Sequence, residues 1–529
     1  MHADLATFDI AVIIVYFAAV LAHGFWSGRR ERNADDYFLA GRSLAWPLIG
    51  ASLYASNMSG ASFVGLIGAS YEYGLVVFNY EWTAAAVLIF FALFMAPVFL
   101  RAKLFTVPEY LKTRFDERTC RLYAAFTLFT LMFIDIAGAL FAGGLVISMF
   151  IPALSLWGAA ALIALLAGVY TVAGGLRAVV VTDAVQAALM IVGSLVILWA
   201  GLGAVGGWDA LFAELDASRT QMIKPASDDF LPWTGLFGVL LLGFYYWTLN
   251  QYFVQRVLAA RDLKAARRGA LFGGFLKLPN LFFMMLPGLI AFVLFPALDR
   301  PDLAFPTLIV ELLPAGLKGL IVTALIAAIM SSLDSAFNAG ASIVTMDFVK
   351  PARPETGDHT LLWIGRAVTG AMMIFGMGVV PLVERFGSLF SYFQSTLAYI
   401  TPAVVATFMG GLFVSRVSAR AAFWTLLIMI PTGLALFVAK EVTGLWAAAG
   451  GPDIHFTIMA GLLFLAACAL LAGLSVRWRG PAAKAHTHFR LPDLAHDHDE
   501  GSMRKWRHDY RWQALGLALL TIALIFYFR

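Results

Sequence analysis

The feature that most constrains this chain is a series of fourteen apolar stretches, each long enough to cross a bilayer. A helix needs about 20 apolar residues to span the hydrocarbon core. The stretches run near residues 8–27, 46–72, 78–100, 122–150, 155–173, 179–205, 232–258, 268–297, 317–347, 361–384, 387–412, 419–440, 455–475 and 511–528. Backbone polar groups inside lipid must be bonded within the segment, so these stretches predict an all-α integral membrane protein with about fourteen transmembrane helices. The chain is 61% hydrophobic and 13% charged, about half the charge of a soluble domain. A net charge of +4, spread over loops, argues against a nucleic-acid partner. Cys120 and Cys468 define no pairing and say little about compartment. The acidic start MHADLATFD and the SGRRER after the first apolar run fit a retained anchor rather than a cleaved signal peptide.

The loops alternate in charge. Arg29, Arg30, Arg32 and Arg42 lie in the first, Lys103, Lys112, Arg114 and Arg118 in the third, and Arg261, Lys264, Arg267 and Arg268 in the seventh. The thirteenth is basic too. The sixth carries Asp209, Glu214, Asp216, Asp228 and Asp229 against Arg219 and Lys224. The positive-inside rule then places odd loops in the cytoplasm and both termini outside. Without a long, cysteine-bearing outer loop, the expected location is a bacterial inner membrane. The cytoplasmic loop 477–511 holds His486, His488, His496 and His498; these could bind a metal, but they lack the spacing of a structural zinc site, and a solvated linker is the simpler reading.

Function should lie with polar groups at membrane depth, where they are costly and usually line a pathway. Glu81, Asp135, Asp183, Lys277 and Asp334 all fall within the apolar stretches. Any one could be a structurally paired charge; five of mixed sign are poorly explained that way. The run YASNMSGASFVG, residues 54–65, places Ser56, Asn57, Ser59, Gly60 and Ser62 in mid-stretch. A helix broken there would free carbonyls to ligate a cation, and irregular backbone at this depth is tolerated only inside protein or along a cavity. Sodium, a hard ion, prefers such oxygens. Close helix packing through small residues is the alternative for Ser59 and Ser62. The run AAIMSSLDSAFNAG, residues 327–340, supplies Ser331, Ser332 and Ser335 around Asp334 and strengthens the ion-site reading.

Taken in order, DYFLAGRSLAWPLIGASLYASNMSGASFVG, YEW, TVPEYLKTRF, GGLRAVVVTDAVQ, YYWTLNQYFVQRVLAA, FLKLPNLFFMMLPG, FPTLIVELLPAGLKGL, MSSLDSAFNAGASIVTMDF and FSYFQS make the chain resemble the sodium/solute symporter family, specifically its sodium/glucose cotransporters. The resemblance implies a single transporter domain with a LeuT-type core of two inverted five-helix repeats, residues 46–205 and 232–412. An extra helix at 8–27 would precede it, and C-terminal helices at 419–528 would follow. It implies a sodium site from the carbonyls of Ala55, Met58 and Ala328 with the hydroxyls of Ser331 and Ser332. Asp183 matches an aspartate of a second cation site that would include Asp334 and Ser335, and Asp334 could instead bind a proton.

The resemblance also implies a sugar pocket of Asn57, Ser62, Glu81, Lys277 and Gln394. Tyr246 would lie under the sugar ring beside Trp247, and Tyr80 and Phe390 would form the outer lid, with Tyr246 as the inner gate. Ser62 and Gly243 replace longer or hydrogen-bonding residues usual in the family, and Asp135 is unexpected there and could pair with Lys277. The expected activity is sodium-coupled symport of a glucose- or galactose-like sugar, with an inositol fitting the extra room. Sialic acid, an amino acid or a carboxylate as solute, a proton as coupled ion, and a non-transporting sensor or leak channel are the competing readings. No nucleophile–base set or phosphate-binding glycine loop points to an enzyme.

Overall fold

The computed structural model describes residues 7–28, 38–58, 60–151, 153–384, 388–478, 487–490 and 509–528. All regular structure among them is helical. Among the described residues, nine helices are long and apolar enough to cross a membrane, or ten if the bent pair Leu389–Ile400 and Pro402–Phe413 forms one span. The other expected stretches are helical but interrupted or shorter as apolar runs.

Residues 155–173 and 179–205 lie in one helical stretch, Leu156–Val205, where two separate helices were expected. Its contacts show how it is arranged. Ile163 packs with Ile329 around Gly143, whereas Gly193 faces Ile321. A straight helix from residue 163 to 193 would be about 45 Å long, yet residues 329 and 321 lie only about 12 Å apart along theirs. Thr171 bonds Asp334 while Asp183 bonds Ser331, so the order of contacts reverses. The chain doubles back between Thr171 and Asp183, giving two arms where two spans were expected.

The helix Leu317–Ile343 is the centre of the bundle. Its apolar window is 94% buried, against 22% for Tyr510–Tyr527 at the periphery. A helix covered on every side is a core element, so its serines face protein rather than lipid. Two spans break beside it. The first ends at Asn57, with Met58 at φ −74° and ψ 56°, and resumes at Gly60; this is where the sequence placed a break, with Ser59 itself outside the described residues. The second runs Trp233–Leu249, extends at Asn250 (φ −70°, ψ 120°) and continues as Gln251–Leu258. Asn250 Oδ1 accepts from Tyr252 N at 3.1 Å and so caps the second half.

The segment Trp46–Asn57 lies against Leu263–Lys277 through facing glycines. A Cβ on Gly50 would collide with the Phe272 ring and approach the Gly269 carbonyl to 3.0 Å. Small residues permit this close approach within a membrane. Gly50→Val should overpack the contact by about 1–3 kcal/mol. A thermal melt of the detergent-solubilised variant should show a lower midpoint than the parent; an unchanged midpoint would mean that the contact yields freely.

The long C-terminal loop is described only at 487–490. There Tyr110 Oη donates to the Thr487 carbonyl at 3.1 Å, and Phe489 N to the Leu412 carbonyl at 3.0 Å. The piece is docked on the bundle. His486, His496 and His498 lie outside the described residues, among which no group of acidic, histidine or cysteine side chains could hold a metal ion.

Candidate functional site

Freed carbonyls at the first break are met by hydroxyls. Tyr252 Oη donates to the Ser56 carbonyl at 2.5 Å and Ser332 Oγ to the same carbonyl at 3.1 Å. Ser332 also reaches the Ala328 carbonyl at 3.1 Å, and Ser62 Oγ donates back across the break to the Asn57 carbonyl. Ser332 therefore joins the broken helix to the central one. The set around it is all oxygen, carbonyl and hydroxyl, which suits a hard monovalent cation. Of the five expected sodium ligands, Ser332 and Ala328 are placed together beside the break at Met58, with Ala55 in the last turn of the helix before it. Ser331 turns the other way, its Oγ 2.5 Å from Asp183 Oδ1.

Asp183 departs from expectation. The Arg256 guanidinium lies 3.1 Å from its Oδ2, with both side chains almost fully buried. Arg256 also donates to Ser52 Oγ at 2.6 Å, to Ser56 Oγ, to Ser335 Oγ and to the Tyr252 carbonyl. Ser52 and Ser56 hydroxyls complete the Asp183 carboxylate. The position read as a second cation site thus already holds a side-chain cation. Asp334 does not join it: its Oδ1 lies 2.8 Å from Thr171 Oγ1, and Oδ2 has no hydrogen-bond partner.

The sequence reading passed over Arg256 because it stands near the end of stretch 232–258, where an arginine suggests the interface. Losing one partner of a buried pair strands the other charge, at about 3–5 kcal/mol. Arg256→Gln should therefore sharply reduce the yield of folded protein. Adding Asp183→Asn should restore much of it, as size-exclusion profiles would report. If the double variant is no better than the single, the pair is not what holds these helices.

Beside the same break lies a cavity lined by Asn57, Ser62, Tyr80, Glu81, Gly243, Tyr246, Trp247, Phe390 and Gln394, among others. These include eight of the residues expected in the substrate pocket or its gates. Lys277 stands behind the wall. Its Nζ pairs with Glu81 Oε2 at 2.5 Å, donates to Asn57 Oδ1 and sits 5.6 Å from the Trp247 ring centre. Asn280, which the sequence did not flag, donates to Glu81 at 2.5 Å and accepts from Tyr54 Oη at 3.0 Å. The expected Asp135–Lys277 pairing does not form: Asp135 bonds Asn250, near the second break. Two partners, Glu81 and Asn57, already hold the lysine, and Asp135 meets the buried Asn250 side chain instead.

The lid is wider than expected. Tyr80 meets Phe390 edge-on at 5.0 Å between ring centres, and Phe230 stacks on Tyr73 at 3.9 Å while lying 5.9 Å from Phe390. Phe230 comes from the sixth loop, whose acidic character drew attention away from its aromatics. On the other side, Tyr246 and Trp247 both pack on Phe253, at 4.5 and 4.9 Å. The cavity is closed by aromatic rings at both ends and lined by paired charges and amides in the middle.

A family model described as the sodium:solute symporter family matches residues 37–429. Among curated proteins, sodium/glucose cotransporter 4 of Danio rerio is 33% identical over 508 residues, covering 88% of this chain and 77% of its own. Human sodium/myo-inositol cotransporter 2 is 36% identical over 470 residues, covering 81% and 70%. Among solved structures, a Na+-coupled sialic acid symporter in a substrate-bound outward-open state aligns with TM-score 0.77 at 24% identity, over 91% of this chain and 100% of that one. At that identity the likeness speaks for the fold.

Proposed function

We propose that this chain, which belongs to the sodium:solute symporter family, moves a neutral sugar or polyol with sodium by alternating access. The coupled ion is sodium, and the chain is a multi-pass membrane transporter rather than an enzyme. The observation that carries the sugar reading is the Lys277–Glu81–Asn57 network behind an aromatic platform of Tyr246 and Trp247. Hydroxyls need fixed donors and acceptors, and a sugar ring needs a flat apolar face. An anionic solute would need an uncommitted cation, and Lys277 is already neutralised by Glu81. Gly243 and Ser62 on the cavity wall leave room that suits a hexose or an inositol.

In the cycle we propose, sodium enters from outside and binds among the carbonyls of Ala55, Met58 and Ala328 and the hydroxyl of Ser332, and the Ser331 hydroxyl leaves Asp183 to join them. Binding there ties the first broken helix to the central one and orders Asn57 and Ser62 for the substrate. Tyr80 and Phe390 close above; sodium loss to the cytoplasm then loosens the Tyr246 side. Each ligand shifts the equilibrium only by its differential affinity for the two states. A second sodium at Asp183 would have to displace the Arg256 guanidinium.

The membrane arrangement completes the reading. Fourteen crossings with both termini outside agree with the loop charges, and the two arms of Leu156–Val205 would supply two of those crossings. Inverted repeats over 46–205 and 232–412 are supported by the breaks, since the first span of each is the discontinuous one, where paired transporter repeats place their binding sites. The test is competition. Labelled-sugar binding to purified protein in sodium should be displaced by glucose, galactose or myo-inositol, and not by sialic acid. Displacement by sialic acid alone would overturn the neutral-substrate reading.

A further inference from the structure

Away from the transport pathway, a cavity opens between Arg42, Arg101, Lys103 and Arg261, with Asp262 the one carboxylate among the described residues of its wall. Three separate loops contribute these cations: the first, third and seventh. Arg42 donates to the Lys103 and Leu104 carbonyls at 3.0 and 3.2 Å, and Arg261 pairs with Asp262 at 3.1 Å in an exposed position. Among the described lining residues, four cations stand against one carboxylate.

The backbone here is unusual. Among the described residues, Ala40, Arg42 and Lys103 are the only non-glycine residues with positive φ, at 50°, 50° and 49°. With Gly41 at 61°, three consecutive residues take a conformation that L-residues avoid. Arg42 and Lys103 both line this cavity, and such outliers mark sites where the surrounding structure holds a shape for a purpose. The cavity also touches the roots of both broken helices. Leu44, just before Trp46–Asn57, accepts from Arg261 N at 3.1 Å and donates to the Ala259 carbonyl at 3.1 Å, just after Gln251–Leu258.

We propose that this cavity binds a phosphate group, that of an anionic phospholipid of the inner leaflet. Loops of odd number gather here, and basic cavities at the cytoplasmic boundary meet an anionic lipid surface. The apolar wall supplied by Pro97, Leu100, Leu258 and Leu263 suits the start of an acyl chain, which a free phosphate lacks. A headgroup bridging the first, third and seventh loops fixes the spacing of the two broken-helix roots, and so sets how readily the bundle rocks.

The test uses the purified full chain with the variant Arg101→Gln/Lys103→Gln/Arg261→Gln, which leaves Arg42 and the transport site untouched. A control variant, Arg118→Gln/Lys350→Gln/Arg353→Gln, removes the same charge elsewhere. Native mass spectrometry should show phosphatidylglycerol retained by parent and control and lost from the pocket variant, with affinity about fivefold weaker for each contributing cation removed. That readout does not depend on transport, so it stands or falls apart from the substrate reading. Uptake in phosphatidylcholine vesicles should rise several-fold on adding phosphatidylglycerol, for parent and control only. If millimolar inorganic phosphate reproduces the effect in phosphatidylcholine alone, the phosphate group is confirmed and the lipid overturned as its source. Equal retention by all three proteins, or equal loss in the control, would overturn the proposal.

Discussion

Replacing Ser332 with alanine should abolish sodium-driven accumulation of substrate while leaving the protein folded. Its hydroxyl reaches the Ser56 carbonyl on the broken helix and the Ala328 carbonyl on its own, and so bonds the two directly. A ligand to a cation is worth about 1.5–3 kcal/mol, as hydrogen bonds to charged groups are. Its loss should weaken sodium binding by roughly ten- to a hundredfold. Because linkage is reciprocal, the same variant should lose the tightening of substrate by sodium, and by the same factor. Sodium titrations of substrate binding measure both. If Ser332→Ala still concentrates substrate on a sodium gradient with parental sodium affinity, the ion site lies elsewhere.

Glu81→Gln should give the second large effect, and a different one. Glu81 accepts from Lys277 and Asn280 and lines the cavity. Removing its charge strands the buried ammonium of Lys277, at about 3–5 kcal/mol, and deprives substrate hydroxyls of an ionic acceptor. Uptake at low substrate should fall at least about a hundredfold, chiefly through a higher KM. Sodium binding without substrate should stay near parental, because Glu81 belongs to the cavity and not to the Ser332 oxygen set. A variant with lost sodium affinity but unchanged KM would reverse the assignment of the two sites.

These two results depend on features that differ in how far the sequence reveals them. Apolar run length placed the helices, because a bilayer imposes one length on every span. The first break was legible because serine, asparagine and glycine at mid-depth have few other uses there. Glu81 and Lys277 were visible as charges in apolar stretches, whereas Gln394, and the substrate roles expected of all three, came only as what the family resemblance implies.

Pairing was the illegible part. Lys277 was expected beside Asp135, and only the packing of its helix placed it on Glu81. Arg256 meets Asp183 across 73 residues of chain, and no local pattern announces such a contact. Nor could run length alone show that loop residue Phe230 reaches the lid.

The most direct measurement is uptake of labelled glucose, galactose and myo-inositol into proteoliposomes, with an inward sodium gradient and a matched potassium control. Concentration of at least one of them under sodium, none under potassium, and loss of that activity in Ser332→Ala is the predicted result. Accumulation that proceeds equally in potassium, or sodium-driven uptake restricted to charged solutes, would contradict the account.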